Sequence, residues 1–148
     1  MKQNQSTHNQ RGVSALEFTI LAPLLFVLVF GIVEFGLLFY DKAMLTNASR
    51  EGARAGIIAK SPRVTISEIK QVVLNYAQSH LITFGSDTLE EDNIDVNPDP
   101  SGLSFGDDLT VTVNYQYDFL VLPNFGALGW GNLGDPITLT AVTVMRME

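Results

Sequence analysis

The chain has no cysteine, which excludes disulfides, thiolate metal sites and cysteine nucleophiles. Such a composition is compatible with an oxidising exterior, and a small exported domain built this way relies on its own core or on neighbours. Histidine is nearly absent too. His8 lies in the polar N-terminal stretch and His80 in a helical pattern, so a histidine-based metal or catalytic cluster is not expected. P-loop, paired-glycine dinucleotide and nucleophile-elbow motifs are all missing. These absences predict no enzyme, no cofactor and no metal site. Positive charge is scarce beyond the middle of the chain. From Asp87 to Glu148 every charged residue except Arg146 is acidic, and the whole chain carries −7. Phosphate backbones need a positive surface, so nucleic acid is not an expected partner.

What the chain does have is one long hydrophobic run. Leu16 to Tyr40 is 25 residues with only Glu17 and Glu34 charged. As a helix it covers roughly 36 Å at ~1.5 Å per residue, enough for a ~30 Å hydrocarbon core. Pro23 lies inside the run, which membrane helices tolerate at the cost of a kink. With 148 residues in all, there is room for this span and one small domain. An ordinary secretory signal fits less well. The run exceeds the usual ~7–15 residue apolar core, and the first small-x-small site, Ala53-Arg54-Ala55, comes well after it.

The residues leading into the run carry the sharpest signal. In Arg11-Gly12-Val13-Ser14-Ala15-Leu16-Glu17-Phe18 a short basic leader precedes a glycine, and a single carboxylate follows five residues later. A charge at the edge of a hydrocarbon segment is costly and tends to be functional. The arrangement resembles the processing site of type IV prepilins and pseudopilins. That resemblance implies cleavage after Gly12 by a membrane-embedded prepilin peptidase, a new amine on Val13 that is commonly N-methylated, and Glu17 as fifth residue of the mature chain. In a filament, Glu17 of one subunit would neutralise the Val13 amine of the next, lowering the cost of burying both charges.

Farther on, Ala48-Ser49-Arg50-Glu51-Gly52-Ala53-Arg54-Ala55-Gly56, the tyrosine-rich strand followed by Pro123, and the ending Met145-Arg146-Met147-Glu148 resemble the TadE-like pseudopilins of tight-adherence (type IVc, Flp) pilus systems. The implied partners are the membrane, the prepilin peptidase, other pilin and pseudopilin subunits, and the pilus assembly machinery. The implied location is the bacterial cytoplasmic membrane, crossed once, with the N-terminus inside and the C-terminal domain outside. The short leader with Lys2 and Arg11 agrees, whereas Lys42, Arg50 and Arg54 beyond the run argue the other way by charge counting. The length after the helix suits a minor pilin rather than a major Flp pilin.

On this reading residues 1–12 are the leader, 13–40 the transmembrane helix and 41–148 the extracytoplasmic domain. The helical pattern continues past Tyr40, with Leu45, Ala48, Gly52, Ala55 and Ala59 forming a small-residue stripe. Gly52-x-x-x-Gly56 permits close backbone approach, either to partner subunits or to the chain's own globular part. Pro62 ends this helix at or before Ser61. Thr65 and Glu68 form a capping box ahead of a second helix reaching about Ile82, with Ile69, Val72, Val73, Tyr76, Ala77 and His80 on one face. Gly85 closes that region. Strands are expected at Asn93–Asn97, at Leu109–Phe119 and at Ile137–Met145, the last with a bulge near Ala141. A glycine-rich loop from Pro123 to Pro136 holds Trp130. The fold class is α+β: a long N-terminal transmembrane helix continuing into a small pilin-like domain with a second helix and an antiparallel sheet.

Two acidic features have alternative readings. Glu34 lies ~26 Å along the helix from Glu17, so it either sits at the outer interface without special function or makes an intersubunit salt bridge. The stretch Asp87-Thr88-Leu89-Glu90-Glu91-Asp92-Asn93-Ile94-Asp95, with Asp99, Asp107 and Asp108, offers oxygen ligands suited to calcium, but lacks the EF-hand spacing and reads better as a solvated loop. For the whole chain the alternatives to a pseudopilin are an uncleaved single-pass envelope protein acting as scaffold or receptor, and a secreted binding module lacking residues 16–40.

Overall fold

The structure, a computed structural model, describes residues 8–83, 89–119 and 136–147. Its spine is α1 (His8–Ile57), 50 residues that run unbroken through Pro23. Over the first part of this helix the apolar side chains have nothing of the chain above them; Leu16, Phe18, Ile20, Leu24 and Phe30 all stand exposed. A contiguous apolar surface of that extent is not left bare in water, and the helix is long and apolar enough to cross a membrane. From Glu34 onward one line of α1 turns inward. Glu34, Asp41, Leu45, Ala48, Gly52 and Gly56 are all buried, and at ~100° per residue they fall within about 40° of a common line.

The helix ends at Ile57, a turn earlier than Pro62 requires, and Ala59 lies beyond it, exposed. Helix α2 (Ile66–His80) begins as the capping box predicts: Thr65 Oγ1 accepts from Glu68 N at 3.3 Å, and Thr65 N donates to Glu68 Oε2 at 2.8 Å. Ile69, Val73 and Ala77 are buried along the expected face, while His80 is exposed and stacks on Tyr76. Leu74 is buried as well. Helix α2 packs against both α1 and the first strand, so a second stripe of it is covered, which a single amphipathic face did not anticipate.

Three strands, β1 (Ile94–Asn97), β2 (Asp108–Tyr117) and β3 (Ile137–Arg146), form an antiparallel sheet in the order β1-β2-β3. Alternation decides its two faces. Ile94, Val96, Leu109, Val111, Val113, Tyr115, Tyr117, Leu139 and Ala141 face the helices and are buried. Phe119, placed on the same strand face from sequence, lies just past β2 and meets Tyr117 edge-on. The bulge expected near Ala141 is absent. Pairing runs one-for-one from Asp108↔Arg146 to Tyr117↔Ile137. The alternation of β3 looked shifted because Val142 and Val144, though apolar, point away from the helices and are exposed.

The result is a two-layer α+β domain, helices on one face of a sheet whose other face is open among the described residues. The leader up to residue 7, the Gly85 region with Asp87 and Thr88, and the Trp130 loop from 120 to 135 lie outside the described residues.

Candidate functional site

Three regions of α1 hold the residues singled out from sequence. At its start, Gly12 lies within the helical backbone, and Val13 and Glu17 are exposed. No hydrogen bond or ion pair joins Glu17 to another described residue. Nearby, Thr19 Oγ1 donates to the Ala15 carbonyl at 2.7 Å, a local bond that leaves the helix surface around Glu17 open.

At the other end of the apolar run the situation reverses. Glu34 is fully buried, and Tyr117 Oη donates to its Oε1 at 2.8 Å. Two helical turns on, Asp41 is fully buried too; its Oδ1 accepts from Ile82 N at 3.0 Å, and its Oδ2 has no hydrogen-bond partner among the described residues. Burial pushes the Tyr117 phenol above its usual pKa, and the bond to Glu34 and the negative charges of Glu34 and Asp41 push it the same way. The phenol therefore stays protonated and serves as donor. Lys42 donates to the Thr140 carbonyl and Ser49 Oγ bonds Thr143 Oγ1 at 2.7 Å, so β3 is tied to the same stretch of helix. The domain base thus reaches down along α1 to Glu34, inside the apolar run.

Higher up, the small residues make the seat. A Cβ on Gly56 would lie 2.7 Å from Ile69 Cδ1 and closer still to Leu109 Cδ2, and one on Gly52 would strike Val73 Cγ2. Both glycines therefore bring α1 into contact with α2 and β2 of the same chain. Of the two readings left open for the stripe, this structure fills the intramolecular one. The assembly roles expected for Glu34, Gly52 and Gly56 meet an account within one chain, because all three face its own domain.

The acidic stretch is occupied with local structure. Asp99 Oδ1 accepts from Ser101 N and Oγ at 2.9 and 2.7 Å, Asp107 Oδ2 from Ser104 N at 2.7 Å, and Glu91 Oε1 from Gln71 Nε2 at 3.0 Å. Asp108 pairs with Arg146 at 2.9 Å. Among the described residues no group of three or more His, Asp or Glu is gathered as a metal site.

Sequence reasoning missed Asp41 and the Tyr117 donor. For Asp41 a signal was available: it lies seven residues after Glu34, on the line that Leu45, Ala48 and Gly52 continue, so extending the small-residue stripe backward finds it, whereas nothing on the stripe points to Tyr117.

Comparison with known proteins gives one family match. Residues 12–54 match the family model TadE, described as TadE-like protein. The matched segment starts at Gly12, takes in the whole apolar run with Glu17 and Glu34, and stops at Arg54 within the seat. No curated protein and no solved structure gives a match.

Proposed function

We propose that this TadE-like chain is a pseudopilin, or minor pilin, of a tight-adherence (type IVc, Flp) pilus system used in adhesion. It inserts in the bacterial cytoplasmic membrane as a single pass, N-terminus inside and domain outside. A prepilin peptidase removes residues 1–12, and the mature chain keeps its hydrophobic helix as anchor and assembly element. The outer domain helps initiate, cap or regulate the pilus. The chain is a processing substrate rather than an enzyme.

One observation carries this reading: the family match begins at the glycine of the leader and covers a bare apolar helix with a single exposed carboxylate, Glu17, near its start. In lipid an unpaired carboxylate is costly, and the amine created at Val13 is a cation of the right kind to offset it. In an assembled filament that amine comes from a neighbouring subunit packed against the apolar helix, as the prepilin resemblance implies.

The test is the mature N-terminus, measured by terminal-peptide mass spectrometry in cells that contain the peptidase. Wild type is expected to begin at Val13, and Gly12→Ala to retain its leader. A terminus at Met1 in both would instead favour an uncleaved envelope protein. A terminus beyond Tyr40 would mean ordinary secretion.

A further inference from the structure

Unpaired exposed charges of opposite sign stand on the two sides of the domain at matching height along α1, Arg50 and Arg54 (with Glu51 exposed between them in sequence) on one side and Asp95 on the other. Arg50 and Arg54 are exposed and lie roughly 160–200° around the helix from the buried Glu34–Gly52 line, on the outer surface of the helix layer. Neither has a hydrogen bond or ion pair to another described residue. On the opposite side of the domain, Asp95 projects from the open sheet face, with Asp92 exposed just before β1. Beside Asp95 the cross-strand row continues through Thr112 to Val142, and the next row runs from Asn97 through Thr110 to Val144. Val142 and Val144 are 56% and 57% exposed.

The relative height follows from contacts already described. Ser49 bonds Thr143, Thr143 pairs with Val111, and Val111 Cγ1 lies 3.7 Å from the Cβ position of Gly52. Asp95 pairs with Thr112, next to Val111. Asp95 therefore stands level with residues 49–52 of α1, beside Arg50 in height and across the domain from it.

We infer that the open sheet face of one copy, at Asp95, Val142 and Val144 with Asp92 exposed in the turn at its β1 edge, docks on the Arg50–Arg54 face of a second copy standing beside it in the membrane. This rests on the proposed reading only in that the chain is anchored by α1 with its domain on one side. A shared membrane holds neighbouring copies at one height, so acid and base meet without any vertical offset. Apart from its paired Asp108 and Arg146, the open face is polar and apolar around Asp95, which suits a flat lateral contact. The contact is front to back. A two-fold arrangement about the membrane normal would set either Arg50 and Arg54 or Asp95 against their own copies, and like charges oppose both. A front-to-back contact does not close on two copies and continues into rows or larger rings.

The cysteine-free sequence makes the test direct. Full-length Arg54→Cys and Asp95→Cys variants, carrying different tags, are expressed separately and together in native-host membranes and treated with a short bis-maleimide. Co-expression is expected to give a dimer holding both tags, and neither variant alone a dimer. The double variant should give a ladder. High salt should weaken each product, since exposed charges are screened within ~10 Å at 0.1 M. Adding Arg50→Glu to the Arg54→Cys partner should abolish the mixed dimer, and Asp92→Arg in the Asp95→Cys partner should restore it. Dimers from either single variant alone, or no product in the mixture, overturn the inference. Reading the N-terminus in the same membranes separates the two ideas: a Val13 terminus without cross-links removes the interface and keeps the pseudopilin, and cross-links on a chain beginning at Met1 do the reverse.

Discussion

Gly56→Ala tests the seat on which the domain is built. The added methyl would come within 2.7 Å of Ile69 Cδ1 and nearer still to Leu109 Cδ2. Ile69 and Leu109 are both fully buried, so relief requires a rotamer change inside a filled core or a shift of α2 and β2 away from α1. Overpacking of this kind costs about 1–3 kcal/mol. Against it stands the better helix propensity of alanine, ~1 kcal/mol in a helix interior. That gain is reduced here because Gly56 is the next-to-last residue of α1. The balance is a net loss of about 1–2 kcal/mol, or a melting temperature lower by roughly 5–10 °C for a domain of this size. The measurement is thermal unfolding of the full chain in detergent micelles, followed by near-ultraviolet circular dichroism of its tyrosines. Gly36→Ala is the internal control, since nothing lies within 4 Å of its Cβ position, and it should not lower the melting temperature. If Gly56→Ala melts at or above wild type, α1 does not approach α2 and β2 as closely as described and the reasoning fails.

Tyr117→Phe should destabilise the domain by about 1–3 kcal/mol, because buried Glu34 loses a donor; Glu34→Gln, which keeps an acceptor for the phenol, should cost less, and equal effects in thermal unfolding would contradict the described bond. Thr65→Ala should cost ~1 kcal/mol and speed hydrogen exchange at the Glu68 amide, with unchanged exchange counting against the cap. The same cap is pH-sensitive. The Thr65 backbone N–H and hydroxyl hold the Glu68 carboxyl below its usual pKa, so its contribution is present above the unfolded carboxylate value of ~4.3 and is lost as pH falls through the lower folded value. Protection factors at the start of α2, taken relative to intrinsic exchange at each pH, should therefore fall below about pH 4 in wild type and respond less to acid in Thr65→Ala.

Much of the fold was legible because local chemistry and burial agree in the second half of the chain. Thr65 and Glu68 announce a helix start, and the alternation from Leu109 to Tyr117 marks a strand with one covered face. Where they disagree, the sequence misleads. Val142 and Val144 are apolar on an open face, so they imitate a bulge that the one-for-one pairing of β2 and β3 rules out. Helix α2 reads as having one buried stripe, yet it is wedged between α1 and β1 and buries Leu74 as well. The glycines mark a close-packing seam, but a stripe of small residues says nothing of which neighbour fills it; Val73, Ile69 and Leu109 do so here. Glu34 was the hardest. An acid three-quarters of the way along an apolar run looks like an interfacial residue, and only the end of β2, distant in sequence, supplies the tyrosine that buries it.

That burial changes how the apolar run divides between lipid and protein. If Tyr117 and Ile82 cover Glu34 and Asp41, the domain base descends over the last part of the run on one side. The stretch from Leu16 to Val33 that is bare all round is then ~27 Å as a helix, close to the ~30 Å of a hydrocarbon core, and the extra residues to Tyr40 form the collar on which the domain rests. Glu17 and Glu34 thus mark the two ends of the bare segment by opposite means, one left open and one closed by its own domain. Because α1 is continuous between them, the helical phase sets the direction of Glu17 relative to the domain, about 100° around the axis from the Glu34 line. Any neighbour that supplies a cation to Glu17 therefore approaches the domain from a fixed side. The contacts made in lipid and those made by the sheet and by Arg50 and Arg54 are thereby parts of one geometry.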